Sequence, residues 1–300
     1  MPETTPAPST PAAPPLPDPL LEVVGAGLQI VDLGRPLFVG MPQSPNHPEY
    51  RHALPRRHGD AYRSDGSSAA NDIVVTGTHV GTHVDALSHV SYQGHLHGDL
   101  DADAAQRGGR FSALGIETMA PLVCPGVLLD IPDVLGKEAC EPGYEITPDD
   151  LERAAALTPP IPGGVILVRS GWGRHFEDPA LFVGRDSGVP GVSEAGAHWL
   201  AAYRPPAVGA DTIAFEMLPP GAGHALLPAH RVLLVEQGIH IIETMDLEEL
   251  SRRRIRRFTF VLAPLPLVGA TGSPVRPLAL VPASPADGKT APGSEQAGPK

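Results

Sequence analysis

Short apolar runs, separated by glycine and proline, recur along the chain and predict buried β-strands. The runs are rich in β-branched residues, which favour strands, and residues that break regular structure bound each of them. They span residues 28–33, 73–76, 126–131, 164–169, 207–211, 239–243 and 258–262. The pattern therefore predicts seven strands.

Helical patterns are fewer and predict three helices. Thr147, Pro148 and Asp150 would supply an N-cap, a proline at the first helical position and an acid at the third, as is typical of helix starts. Ser193 can cap a second helix, and Gly238 can end a third. The predicted helices span about 147–157, 193–203 and 227–237. Strands interleaved with few helices predict an α/β or α+β domain with more strand than helix.

Composition divides the chain into three parts. Proline and glycine number 36 and 33 of 300 residues without a regular period, which excludes a collagen-like protein. Eight of the prolines fall within residues 1–20, so we predict that this segment is disordered, and residues 284–300 have the same character. No internal repeat or linker interrupts residues 21–283, which are predicted to form one domain.

Charge and cysteine content limit the class of protein. The net charge of −12, with no apolar run of the ~18–20 residues that span a bilayer, argues against nucleic-acid and membrane partners. The basic cluster at 252–257 is interpreted as a solvated turn balanced by Glu248 and Glu249. Cys124 and Cys140 are expected to be free thiols, and no signal-peptide pattern is present. We therefore expect a cytoplasmic protein.

The segment THVGTHVDALSHVSYQGHLHGD, residues 78–99, carries the candidate chemistry. Five histidines fall within 19 of its residues, whereas the 13 histidines of the chain, evenly spread, would place fewer than one there. Neutral imidazoles combined with a carboxylate are common ligands of zinc, manganese and iron. The clustering favours a metal site over a solvated histidine-rich loop.

The spacing of His79, His83 and Asp85 requires the chain to curl if the three are to bind one ion. In an extended strand the two histidines would lie ~13 Å apart, but ligand atoms on one ion lie within ~3.5 Å of each other. Gly81 permits a tight turn between them because it has no Cβ atom. Thr82 followed three residues later by Asp85 is typical of a helix start.

We therefore predict a helix that begins near His83. On such a helix His89 would lie on the same face as Asp85, which stands four residues earlier in the chain.

The motif His79-x-Gly-Thr-His83-x-Asp85-x-x-x-His89 resembles the signature of the metal-dependent cyclase family, whose members include bacterial kynurenine formamidases and isatin hydrolases. Leu87 stands where the family has proline, a difference that removes no ligand. The resemblance continues in chain order through VRSGW (168–172), PGVS and HWL (190–200), VGADT (208–212), HRVLL and IIE (230–243) and GSPVRP (272–277).

The resemblance implies a β-rich swivelling β/β/α domain that assembles as a homodimer or homotetramer. It also implies that His79, His83 and Asp85 hold Zn²⁺, or alternatively Mn²⁺. Members with two ions per chain use the aspartate as a bridge, and by position His230 and Glu243 would hold the second ion. Glu243 ends an apolar strand, where an unpaired carboxylate is unfavourable unless a ligand compensates it.

The activity implied by the resemblance is hydrolysis of a small cyclic amide or imide, or of an N-acyl amide such as a formamide. Metal lowers the pKa of bound water toward ~7, and the resulting hydroxide attacks the carbonyl. His89 is the implied general acid/base, which protonates the leaving nitrogen. The other loop histidines are interpreted as solvated or pocket-lining rather than as ligands: His47, His52, His58, His95 and His97.

The sequence is also compatible with other functions. The same ligands could serve a cyclase or dehydratase of a biosynthetic intermediate, a lactone hydrolase, or a metal-binding protein without catalysis. The mass of the product separates a cyclase or dehydratase from a hydrolase, because hydrolysis adds one water.

Overall fold

The computed structural model describes residues 19–283. Of the segments predicted to be disordered, residues 1–18 and 284–300 lie outside the described residues, while Pro19 begins a short helix, α1 (Pro19–Gly25). The chain divides into two compact units. Within the described residues, the first comprises 19–29 and 281–283, and the second comprises Ile30–Leu280. The second unit contains every residue of the site described below.

A nine-stranded mixed sheet provides the framework. Its strands in chain order are β1 (Leu28–Asp32), β2 (His83–Asp85), β3 (Leu122–Asp130), β4 (Val165–Arg169), β5 (Ala207–Ala210), β6 (His240–Glu243), β7 (Arg257–Leu262), β8 (Gly272–Pro274) and β9 (Leu278–Pro282). Their order across the sheet is β1-β9-β7-β3-β4-β5-β6-β2-β8. Strands β3 to β6 are parallel, whereas β7 pairs antiparallel with β3 and β9, and β2 pairs antiparallel with β6 and β8. Six of the seven predicted strands belong to this sheet.

The remaining strands form small two-stranded sheets. The seventh predicted strand is Asn71–Val75, which pairs with Arg51–Arg56. The other pairs are His95–Leu96 with Leu100–Asp101, Gln106–Arg107 with Arg110–Phe111, and Glu145–Ile146 with Gly191–Val192.

The helices are short and lie between the strands. They are α2 (Ala102–Ala105), α3 (Ile131–Leu135), α4 (Pro148–Leu157), α5 (Pro179–Val183), α6 (Glu194–Ala201), α7 (Pro228–His230) and α8 (Glu248–Arg252), with 3₁₀ turns at Ile116–Thr118 and Trp172–His175. The capping box of Thr147 and Asp150 starts α4 as predicted. The Ser193 hydroxyl caps α6 by accepting from the amide of Gly196. The third predicted helix is α7 followed by a π-helical turn, Arg231–Glu236.

The main core lies between the parallel strands and these helices. Leu151, Leu200 and Leu233 from the helical segments share one buried cluster with Ile166 and Val208 from the sheet. All five residues of β4 are buried, which explains why its sequence is apolar without alternation. The core thereby fixes the carboxyl ends of the parallel strands, including the end of β6.

The predicted helix near His83 is wrong, because residues 83–85 form strand β2. This strand is hydrogen-bonded on both sides, to β6 and to β8. The Thr82 hydroxyl, which a capping box would use for a helix amide, instead donates to the Thr244 carbonyl at 2.7 Å. Pairing with two strands outweighs the local helix signal. Gly81 forms the predicted turn, with a φ of +67°.

Three further features of the described residues bear on predictions made from charge and cysteine content. No helix in the described part of the chain combines the length and apolarity needed to cross a bilayer. In the basic cluster, Arg252 pairs with Glu249 and Arg256 with Asp133. Glu248, which is also predicted to balance this cluster, pairs with Arg169 instead. Both cysteines are free thiols.

Candidate metal centre

The structure brings all six predicted site residues together: His79, His83, Asp85, His89, His230 and Glu243. His83 and Glu243 are directly opposite each other in the antiparallel pair of β2 and β6. The turn at Gly81 folds His79 back until its Nδ1 lies 2.7 Å from Asp85 Oδ1. His230 ends helix α7. Residues far apart in sequence thus share one buried site, although their roles as ligands stay a prediction.

Two groups of side chains each present ligand atoms within 4.8 Å of one another. One group is His79, Asp85 and His89, and the other is Asp85, His230 and Glu243. His83 lies between them, with its Nε2 3.5 Å from both Asp85 Oδ1 and Glu243 Oε2. Asp85 therefore belongs to both groups, as a bridging carboxylate would. His89 joins the first group from the loop after β2, and not from the predicted helical face.

The outward nitrogens of the imidazoles are held by neighbouring groups. His83 Nδ1 donates to the Gly81 carbonyl at 2.8 Å, and His230 Nδ1 donates to Glu216 Oε1 at 2.6 Å. Since carbonyl and carboxylate oxygens only accept, each Nδ1 carries a proton, and each Nε2 faces the site. The hydroxyl of Thr271 contacts His79 Nε2 at 2.8 Å, which leaves Nδ1 of that ring directed at Asp85.

The carboxylates of the site are only partly satisfied by hydrogen bonds from the described residues. Asp85 Oδ2 and Glu243 Oε1 are buried without a hydrogen-bond partner within residues 19–283. His230 Nε2 lies 3.6 Å and 3.1 Å from these two oxygens. A neutral His230 carries its proton on Nδ1, so its Nε2 offers only a lone pair to these oxygens. Hydrogen-bond acceptors then face one another, which is unfavourable unless a cation or a proton lies between them. Imidazoles and carboxylates in this arrangement fit a divalent ion such as Zn²⁺ or Mn²⁺.

The protonation states agree with this fit. Burial lowers the pKa of His83 to about 4 and that of His89 to about 3, so both rings are neutral near pH 7. Burial also opposes a charge on His230, but hydrogen bonds to the surrounding carboxylates outweigh it and raise the pKa of His230 well above its ordinary value. A proton and a metal ion thus compete for the same acceptors, which couples metal binding to proton release.

Glu216 is not among the site residues predicted from the sequence. Its carboxylate lies against His230, on the side opposite Glu243. The one sequence signal for it is an acid inside the apolar run AFEML. His47, predicted to be solvated or pocket-lining, is half-buried, and its ring centroid lies 5.3 Å from that of His79. His224 lies on a second loop, and its Nδ1 is 3.5 Å from Ser44 Oγ.

The other loop histidines lie away from the donor atoms. His52, His58 and His95 are exposed, and His97 donates to the Val235 carbonyl at 2.9 Å. None of the four belongs to either group of ligand atoms in the described chain.

Comparisons with known proteins give consistent results. The family model named Putative cyclase matches residues 31–217. Isatin hydrolase of Roseibium aggregatum is 26% identical over 226 residues, which cover 74% of this chain and 78% of that protein.

Solved structures are similar over most of the chain. The crystal structure of a protein called a novel cyclase has a TM-score of 0.76 and 28% identity, covering 86% of this chain and 91% of that one. Isatin hydrolase A from Ralstonia solanacearum has a TM-score of 0.66 and 22% identity, covering 90% and 100%. These likenesses confirm the predicted fold class.

Proposed function

Because the chain belongs to the cyclase family, we propose that it is a metal-dependent hydrolase that opens a small cyclic amide or cleaves an N-acyl amide. The observation that carries the proposal is the convergence of three imidazoles on two buried carboxylates, each of which has one oxygen without a hydrogen-bond partner within residues 19–283. The similarity to a protein named isatin hydrolase supports the cyclic amide. The proposed cofactor is Zn²⁺ or Mn²⁺, one or two ions per chain, in a homodimer or homotetramer.

The proposed ligands fall into two sets that share a carboxylate. His79, His83 and Asp85 would hold one ion, and His230 with Glu243 would hold a second beside Asp85. When bound, a divalent ion in such a site acidifies water and polarises a carbonyl oxygen. The side chains of all five residues are buried, which would keep bulk water away from the ions.

His89 is the residue that we propose to move the proton. Its ring stacks on His79 with centroids 3.8 Å apart, and unlike the proposed ligands it is partly exposed. A neutral His89 accepts a proton from water as the water oxygen adds to the amide carbon. The same proton then passes to the nitrogen as the C–N bond breaks, which gives a carboxylic acid and an amine.

One cavity in the described chain is of a size for a small molecule. It has a volume of about 540 Å³ and is lined by two loops, which include Asn46 and His224, and by the end of α5. Small-molecule sites typically occupy ~300–1,000 Å³. His47, one residue beyond Asn46, contacts His79, so the first loop links the cavity to the proposed ligands.

Metal analysis combined with product mass tests the proposal. We expect purified protein to contain Zn²⁺ or Mn²⁺, to lose activity with a chelator, and to regain it with metal. Isatin, N-formylkynurenine and a bicyclic lactam are the first substrates to assay, and the product should be heavier than the substrate by one water. A protein that takes up no divalent ion contradicts the proposal. A product without added water would instead indicate a cyclase or dehydratase.

A further inference from the structure

We propose that Glu216 is a positioning residue that fixes the ring orientation and tautomer of His230 and thereby sets the metal affinity of the site. The functional half of this inference rests on the proposed metal site. The orientation of the His230 ring depends only on contacts within the chain. The effect on ring orientation and the effect on metal affinity can therefore be tested separately.

One carboxylate holds both the backbone and the ring of His230. Glu216 Oε1 accepts from the backbone amide of His230 at 3.1 Å and from its Nδ1 at 2.6 Å. Glu216 Oε2 accepts from the amide of Ala229 at 2.9 Å. The Glu216 residue is only 1% exposed, so water does not compete for these bonds. The ring is therefore held with Nδ1 outward and Nε2 directed at Glu243 and Asp85.

The fold maintains an unfavourable backbone conformation to place this carboxylate. Phe215 has a φ of +59°, which is rare for a bulky aromatic residue. The backbone of Glu216 also packs directly on Gly191, where an added Cβ would lie 2.2 Å from the Glu216 carbonyl carbon. Strain of this kind persists where the surroundings impose it, and it concentrates at functional sites.

The carboxylate on the opposite side of His230 is held in a similar way. Thr244, directly after Glu243, has a φ of +56°, an outlier for a β-branched residue. The Thr82 hydroxyl fixes it by donating to its carbonyl. His230 thus lies between two acids, with Glu216 at its Nδ1 and Glu243 at its Nε2. A strained backbone segment positions each of these acids. Hydrogen bonding of the outer nitrogen is the usual means by which a carboxylate orients a metal-binding histidine.

The alternative role for Glu216 is a purely structural cap of α7, since two of its bonds go to backbone amides. A cap would affect stability but would not act on metal affinity through the His230 ring. Asp150 offers a matched control, because it is a buried carboxylate that accepts from a backbone amide, that of Thr147, at the start of α4. Asp150→Asn should leave metal affinity unchanged.

Metal titration of the full chain tests the functional half. Chelator-treated protein is titrated with Zn²⁺ by competition with a chelator of known affinity. Glu216→Gln should weaken binding ~10–100-fold without changing the number of ions bound at saturation. In a His230→Ala background, Glu216→Gln should change affinity by no more than ~2-fold, because the residue through which it acts is gone. A further tenfold loss in that background would overturn the inference.

Imidazole NMR tests the orientation without metal. In the metal-free wild type, the His230 Nδ1 proton should resonate far downfield, as expected for a short, charge-assisted bond. Glu216→Gln should shift this resonance upfield or lose it to exchange, and an unchanged resonance would overturn the inference. If Glu216→Gln does not fold, Glu216→Asp retracts the carboxylate by one methylene and should give the same shift. A wild type that binds no ion refutes the proposed function, while the resonance still decides the role of Glu216 in orienting the ring.

Discussion

Two buried clusters of charge lie at the ends of the parallel strands, and they differ in how their charges are balanced. At the end of β4, Arg169 donates to Asp130 at 2.9 Å and to both carboxylate oxygens of Glu248 at 2.9 Å. The second Asp130 oxygen accepts from the Ser251 hydroxyl. In the metal centre, by contrast, Asp85 and Glu243 each keep a buried oxygen without a hydrogen-bond partner in the described chain.

The difference separates a structural cluster from a binding site. The Arg169 cluster contains its own cation and donors, so nothing further is needed to compensate its carboxylates. The candidate metal centre contains acids and imidazoles whose acceptor atoms converge, so either a proton on His230 or a metal cation is needed to compensate them. The presence of buried charge is therefore less informative than the count of donors against acceptors.

The largest expected effect is the loss of metal from Asp85→Asn, because Asp85 belongs to both donor groups. We expect metal affinity to fall by at least ~100-fold, beyond the usual effect of an outer-shell change, and activity to be lost with it. Elemental analysis of the purified variant measures the metal. Asp130→Asn is the matched control from the other cluster and should keep its full metal content. Full loading of Asp85→Asn would refute the ligand assignment.

Arg169→Met should have the next largest effect, on stability and not on metal. It leaves Asp130 buried without its cation, and removal of one partner of such a pair destabilises a protein by about 3–5 kcal/mol. Urea unfolding measures the change, and metal stoichiometry should equal that of the wild type. A variant as stable as the wild type would show that the cluster is not held by this ion pair.

His89→Ala should keep its metal but lose at least ~100-fold in rate, the scale expected of a general acid or base. This corresponds to about 2.7 kcal/mol in the activation barrier. His95→Ala is a suitable control, because His95 belongs to the same histidine-rich segment but is exposed. Near-normal turnover of His89→Ala would remove the residue from the mechanism.

The smallest effect is expected for Asp150, a carboxylate satisfied by a helix start. Burial would raise the pKa of Asp150, but hydrogen bonds from Thr147 and Arg153 outweigh it and lower the pKa below 3.8. Its stabilisation is therefore complete above the unfolded pKa and is lost as pH falls through the lower folded pKa. Asp150→Asn should cost about 1 kcal/mol at pH 7.

Urea unfolding across pH checks this last expectation. The difference between wild type and Asp150→Asn should shrink as pH falls through the folded pKa of Asp150, because the carboxyl is then protonated in the folded chain as well. A difference that does not change across the acid range would show that shape, and not charge, provides the stabilisation.

The sequence alone determined the chemical inventory of this protein and the parallel part of its main sheet. Apolar runs located six of the nine strands of the main sheet, and the Thr147–Asp150 box located a helix start, because these signals depend on neighbouring residues. Clustering and resemblance identified the six site residues that the structure brings together. Their types were sufficient to predict metal chemistry, since few other roles need imidazoles and carboxylates in such a pattern.

Only the tertiary structure decided how those residues are held. His83 lies in a strand and not in a helix because β6 and β8 pair with its segment, and both are more than 150 residues away in sequence. Glu216 reaches His230 through a strained loop that no local preference would predict. Long-range pairing sets which atoms face one another, and the balance of donors and acceptors that defines the site follows from that arrangement.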